Sequence, residues 1–210
     1  MKKWEVKVIA FDCDGVLFDS KSANVCFYNT ILGKFGLPPI QSHQEDFVHA
    51  HSAEESIKFL IADHQLAEKA WAYAKNLDFR SFFPYMKPYP FLKQCLVRLK
   101  QKFKTALATN RTVSTEEVLE YFGLKNLFDL VVCAADVPHP KPAKDMMECI
   151  LNTFKVHPRE VIYVGDSKVD EAFARQSGVI FVAFRNPLLD ADLHVSGFKE
   201  LLKRLQNGTL

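Results

Sequence analysis

Residues 6–20 read VKVIAFDCDGVLFDS, and the fold follows from the change of character midway through them. Val6, Val8, Ile9, Ala10 and Phe11 form a short apolar run rich in β-branched side chains, the pattern of a buried strand rather than of an amphipathic helix. The run ends in Asp12 and Asp14, two apart, with Gly15 directly behind them. Two carboxylates therefore stand on a flexible turn at the carboxyl end of a strand, the place where open α/β sheets bind ligands. Acids this close repel unless a cation or a shared proton holds them. With Mg²⁺, a hard cation that prefers oxygen ligands, one carboxylate can sit on the metal while the other exchanges protons. An ordinary acidic surface turn carries the same letters, and the rest of the chain has to decide.

The 210 residues have room for one domain with a sizeable insertion, or for two small ones. A hydrophobic share of 48% beside 25% charged residues places the chain among soluble globular proteins. Its net charge of +2 gives no whole-protein attraction to nucleic acid or to an anionic membrane, so neither is expected as a partner and any basic site must be local. Cys13, Cys26, Cys95, Cys133 and Cys149 are odd in number and widely spaced, which argues against a disulfide framework or a zinc site. Reduced, buried thiols in a cytoplasmic protein are expected. Lys2 and Lys3 imitate the start of a signal peptide, but Glu5 and Lys7 interrupt the apolar run and Asp12 and Asp14 close it. No segment approaches the length of a membrane-spanning helix.

From residue 21 to 87 the pattern is helical. Val25, Tyr28, Ile31 and Leu32 recur at helical spacing before Gly36, Pro38 and Pro39; a further helix starts near Ser42, and others run over 52–60 and 62–77. Residues 79–91, with Pro84, Pro88 and Pro90, read as a return linker. A helix starting near Pro90 then carries Leu92, Cys95, Leu96 and Leu99 on one face. Beyond it strands at 104–109, 130–134, 161–164 and 179–183 alternate with helices at 114–122, 142–154, 168–176 and 198–205. Ser114 and Glu117 fit a capping box, Ser167 is placed to cap its helix, and Asp145 sits where its charge favours a helix start. This alternation predicts an α/β fold: a Rossmann-like parallel sheet core with helices on both faces, from residues 1–19 and 88–210. Residues 20–87 are expected to form an all-helical cap inserted after the first strand.

All strand carboxyl ends of a parallel sheet lie on one edge, so residues distant in sequence meet there. Four segments bring polar groups to that edge: Asp12 with Asp14; Thr109, Asn110 and Arg111; Lys141; and Asp166, Ser167 and Asp170. The set supplies carboxylates for a metal, a hydroxyl and an ammonium for phosphate oxygens, and a carboxylate for proton transfer.

Through DCDGVLFDS (12–20), LATNR (107–111), KPAKD (141–145) and VGDSKVD (164–170), in that order, the chain resembles the haloacid dehalogenase-like superfamily over essentially its whole length. Its cap type and motif wording look most like the phosphoglycolate phosphatase and β-phosphoglucomutase branch. The resemblance implies a Mg²⁺-dependent phosphatase acting on a small phosphorylated metabolite, with Asp12 as nucleophile, an aspartyl phosphate as intermediate, and Asp14 as acid and base. It also implies that Thr109, Asn110 and Lys141 bind the phosphoryl group, and that Asp166 holds Mg²⁺ with Asp12 and the backbone carbonyl of Asp14. Asp170 would act from an outer shell. Arg111, His49, His51 and Lys58 are the candidate substrate contacts, and the rings of Phe79, Phe82, Phe83 and Tyr85 either line a pocket or pack the hinge. Cys13 should point away from its two neighbours and pack. A sugar-phosphate mutase using the same Asp12 and Asp14 is the first rival, and a non-catalytic ligand- or partner-binding scaffold is a rival of another class.

Overall fold

The computed structural model describes residues 5–112 and 114–206. Strand β1 (Val8–Phe11) is buried along its whole length, as a central strand covered on both faces must be. The chain then forms a two-residue strand β2 (Phe18–Asp19) and four helices: α1 (Lys21–Lys34), α2 (Ser42–Ala50), α3 (Ala53–Leu60) and α4 (His64–Ala74). A 3-10 helix over Phe79–Tyr85 leads into β3 (Lys87–Pro88), which pairs antiparallel with β2, Phe18 opposite Pro88 and Asp19 opposite Lys87. The helical block has an apolar cluster of its own, including Phe27, Ile31, Val48, Ile57 and Ala70. Two further clusters, the first built around Ile9, Phe11 and Leu107 and the second around Val8, Ala10 and Tyr163, cover the two faces of the main sheet.

After α5 (Leu92–Leu99) come β4 (Lys104–Thr109), α6 (Thr115–Tyr121), β5 (Leu130–Cys133), α7 (Asp145–Phe154), β6 (Val161–Gly165), α8 (Lys168–Ser177), β7 (Ile180–Phe184), β8 (Leu193–Val195) and α9 (Phe198–Gln206). The main sheet runs β5-β4-β1-β6-β7-β8 with every pairing parallel. Phe11 stands level with Leu107 on one side and Val164 on the other, so β1, β4 and β6 end beside one another. Successive strands are added to one side of β1 as far as β5 and to the other side from β6 onward. That reversal opens a crevice at the strand ends. Among the described residues, no helix is long and apolar enough to cross a membrane.

The α/β fold and its parallel sheet match the expectation, with four local differences. Strands β2, β3 and β8 are too short to show a period, and the linker at 79–91 contains the 3-10 helix and β3. Ser114 caps nothing with its side chain, because its hydroxyl accepts from the Arg111 guanidinium at 2.9 Å. Ser167, by contrast, accepts from the Asp170 N–H and caps α8 as expected. All five cysteines are free, and Cys13 and Cys95 are buried; Cys149, however, is exposed.

Candidate active site

The floor of the site is the loop after β1. Asp12 donates its backbone N–H to Val164 at 2.9 Å, which fixes it between β1 and β6. Cys13 turns into the core and is fully buried, as strand alternation demands. Its carbonyl accepts from the N–H groups of Leu17 and Phe18, while Gly15 donates to the Phe18 carbonyl, closing a tight loop. Gly15 sits at φ +81°, and a Cβ there would lie 2.1 Å from Oδ2 of Asp166. Glycine is therefore required both for the left-handed conformation and for the close approach of the neighbouring carboxylate.

Lys141, only 2% exposed, reaches this floor from the loop before α7. Its Nζ lies 2.8 Å from Asp12 Oδ1, 2.7 Å from Asp170 Oδ1 and 2.8 Å from the Tyr163 hydroxyl. Asn110 clasps the Lys141 main chain from both sides, its Oδ1 accepting from the N–H at 2.9 Å and its Nδ2 donating to the carbonyl at 3.0 Å. The same Nδ2 reaches the Ala50 carbonyl of the helical block at 3.2 Å. The Asn110 side chain, expected on the phosphoryl group, is thus occupied as a strut for Lys141. Thr109 is buried beside it, its hydroxyl accepting from the Arg111 N–H at 3.1 Å.

Asp170, expected in a supporting shell, is wholly buried. Its Oδ1 accepts from Lys141 and from Tyr163, and its Oδ2 from the N–H groups of Asp166 and Ser167 and from the Ser167 hydroxyl. Burial would raise its pKa, but Lys141, Ser167 and Tyr163 together hold it below the usual carboxylate value. One ammonium cannot serve every acid around it. Burial, reinforced by the charges of Asp170 and Asp14, pushes Asp12 up to about 7 in spite of Lys141. Burial and the charges of Asp170 and Asp12 lift Asp166 well above its ordinary value. Carboxylate oxygens of Asp12, Asp166 and Asp170 lie within 4.8 Å of one another. Because Asp170 is already filled with donors, Asp12, which shares Lys141 with it, and Asp166 are the pair left short of positive charge, and two carboxylate oxygens this close suit a hard divalent cation. The Asp166 carbonyl is held by Nδ2 of Asn186 at 2.8 Å.

Asp14 turns the other way. Its carboxylate meets the Arg111 guanidinium in a fork, Nε to Oδ2 at 3.1 Å and Nη2 to Oδ1 at 2.7 Å. Burial alone would raise Asp14, but Arg111 outweighs it and holds the acid below its ordinary value. The side chain of Asp14 is not in the three-carboxylate cluster, which leaves its main-chain carbonyl as the group to consider for a metal.

Above this floor lies a cleft of ≈ 690 Å³, counting space open to solvent. Asp12, Asp14, Thr109 and Arg111 line it from the sheet edge, and Phe27, Tyr28, His49, His51, Phe79 and Phe82 from the helical block. His49 lies 3.1 Å from Nδ2 of Asn24, and burial lowers its pKa even though Asp14 opposes the shift. His51 stacks on Phe47 with ring centres 3.9 Å apart. Phe83 also lines the cleft, whereas Tyr85 does not and is half exposed. Lys58 lies away from the cleft lining, drawn to Glu54 at 2.6 Å and Glu68 at 3.6 Å on the outer surface. Tyr163 and Asn186 were not among the expected site residues. The phenol of Tyr163, a polar group inside the apolar strand VIYVG, was the one signal available for it.

A family model described as haloacid dehalogenase-like hydrolase matches residues 9–184. A phosphoglycolate phosphatase of Chromobacterium violaceum is 29% identical over 218 aligned residues, covering 97% of this chain and 98% of that protein. The crystal structure of a HAD-superfamily hydrolase, subfamily IA, variant 1, from Geobacter sulfurreducens aligns with a TM-score of 0.77 at 32% identity, covering 96% of this chain and 97% of that one. A β-phosphoglucomutase of Clostridium difficile shares the fold, with a TM-score of 0.81 at 18% identity over 97% of this chain and 96% of its own.

Proposed function

The chain belongs to the haloacid dehalogenase-like hydrolases and is a phosphoric monoester hydrolase; we propose that it is a Mg²⁺-dependent, phosphoglycolate-phosphatase-like enzyme that passes through an aspartyl phosphate on Asp12. The observation that carries this reading is the placement of Asp12, buried at the floor of the cleft with one oxygen 2.8 Å from Lys141 and a second carboxylate, Asp14, two residues away. With a monoester in the cleft, an Asp12 oxygen attacks phosphorus as the bond from phosphorus to the ester oxygen breaks, and Asp14, which burial lets take up a proton from water once Arg111 no longer holds it as a carboxylate, gives that proton to the departing oxygen. A water then loses a proton to Asp14 and attacks the aspartyl phosphate, releasing inorganic phosphate and restoring the Asp12 carboxylate. Lys141 and the Thr109 hydroxyl orient the phosphoryl oxygens and offset their charge, and Asn110 and Asp170 keep Lys141 in register. Asp12 and Asp166 would hold the cation, which when bound draws charge from the phosphoryl oxygens. The helical cap excludes water while the group moves.

Phosphate release from a panel of small monoesters that includes 2-phosphoglycolate tests the reading. Asp12→Asn is expected to abolish release while the circular dichroism spectrum stays unchanged, and undiminished turnover by that variant sinks the mechanism. Isomerisation of a sugar phosphate without net release would instead assign the chain to the mutases.

A further inference from the structure

The fork between Arg111 and Asp14 stands in the way of the proton transfer that the proposed reaction needs. Both oxygens of Asp14 are taken by Arg111, and the remaining guanidinium nitrogen, Nη1, donates to Ser114 at 2.9 Å. The side chains are only 13% and 14% exposed, so water does little to replace a partner that leaves. To meet the oxygen of a departing alcohol, Asp14 must surrender at least one of its two oxygens. That leaves a guanidinium buried and half-paired, a costly arrangement unless another anion takes its place. Among the described residues lining the cleft, Arg111 is the only arginine or lysine, and burial lowers the pKa of His49, which lines the cleft with it. No other lining group replaces Arg111 as a permanent positive charge for an anion entering there.

We propose, on the phosphatase reading above, that Arg111 is the specificity residue of the cleft: it leaves Asp14 to bind a second anionic group on the substrate, and that exchange is what frees Asp14 to serve the departing oxygen. The geometry limits where the second anion can be. The departing oxygen must come within about 2.8 Å of an Asp14 oxygen to share its proton. The Arg111 donors lie 2.7–3.1 Å from the same oxygens, so the anion belongs on the carbon next to the ester-bearing carbon or one beyond it. A carboxylate there accepts the planar fork in the same bidentate manner as Asp14 does. An uncharged alcohol portion leaves Arg111 on Asp14 and is a poor substrate.

The test uses two unreactive probes built on the same three-carbon chain, 3-phosphonopropionate and propylphosphonate, whose binding to the Mg²⁺-loaded full chain is measured by calorimetry. The wild-type protein is expected to bind the carboxylate probe at least about tenfold more tightly, and Arg111→Gln to close that gap to within about threefold. Arg111→Lys, which keeps the charge and loses the fork, should give an intermediate gap. A residue with a merely structural role would weaken both probes equally. A wild-type protein that binds the two probes alike overturns the proposal, as does a gap that persists in Arg111→Gln. Because neither probe turns over, the outcome is separate from the phosphatase reading, whose own failure would appear as no phosphate release from any ester.

Discussion

Replacing Asp170 by asparagine removes a charge without changing the shape of the side chain, and the structure gives the expected loss. The Asp170 carboxylate is wholly buried and accepts on both oxygens: Lys141 at 2.7 Å and Tyr163 at 2.7 Å on Oδ1, and the N–H groups of Asp166 at 3.2 Å and Ser167 at 3.1 Å on Oδ2. An amide accepts on one side only. In one orientation its NH₂ group faces two backbone donors; in the other it faces the Lys141 ammonium. Each buried donor left unmatched costs about 1–3 kcal/mol, and opening a buried ion pair on one side costs about 3–5 kcal/mol. Asp170→Asn should therefore lose about 4 kcal/mol of unfolding free energy. Urea titration at neutral pH reads this as a lower midpoint with an unchanged slope. A loss under about 1 kcal/mol, the size of an ordinary surface substitution, would mean that the fold does not depend on the charge of Asp170. In the double variant with Lys141→Met the two losses should fail to add by about 2 kcal/mol or more, because each removes the partner of the other.

Gly15→Ala forces a Cβ into the space of the Asp166 carboxylate at a backbone angle of +81°, so Mg²⁺ affinity measured by calorimetry should fall at least about tenfold; an unchanged affinity would show that Asp166 has room to move. Adding Mg²⁺ to the metal-free protein at about a hundred times its Kd should stabilise it by about 2.7 kcal/mol, seen as a melting-point rise of about 5–10 °C that Asp166→Asn removes. A chelator should stop phosphate release and added Mg²⁺ restore it. Asp129 offers a pH test away from the site. Burial pulls its pKa up, but the Thr105 N–H at 2.9 Å, the Thr105 hydroxyl at 3.1 Å and the charges of Lys100 and Lys104 hold it below the ordinary 3.8. A depressed carboxyl stabilises the fold above its unfolded pKa and loses that contribution as the pH falls through its folded value. Asp129→Asn should thus cost about 1–2 kcal/mol near neutrality, with the gap to wild type closing in acid; a gap independent of pH would contradict the assignment.

What could be read from the sequence was whatever is written locally. β1 is legible because five apolar residues are followed at once by two acids, and the parallel sheet because strands and helices alternate at regular spacing. The gathering of Asp12, Thr109, Lys141 and Asp166 then follows from topology alone. The pairing of Arg111 with Asp14 joins residues 97 apart, and no pattern of spacing encodes it. The same contact undid the expected capping box, since Ser114 is drawn to the guanidinium rather than to its own helix. Lys58 is a different case. Glu54 stands four residues before it, a helical ion pair visible in the sequence that accounts for the lysine without any substrate. β2, β3 and β8 span two or three residues each, too few for an alternation to register.

The ribbon of β2 and β3 brings the chain's departure from the sheet and its return to the same spot, Asp19 facing Lys87 across one rung. Everything between those residues is, to the floor of the cleft, a loop whose ends already touch. Closure entropy grows only with the logarithm of loop length, so lengthening, shortening or exchanging the helices adds little to the cost of closing that loop, provided that Ala23, Phe83 and Met86, which pack in the cluster of Ile9 and Phe11, are kept. Grafting a relative's segment between positions 19 and 87 is then a direct way to change what the enzyme accepts while leaving Asp12, Lys141 and Asp166 where they stand.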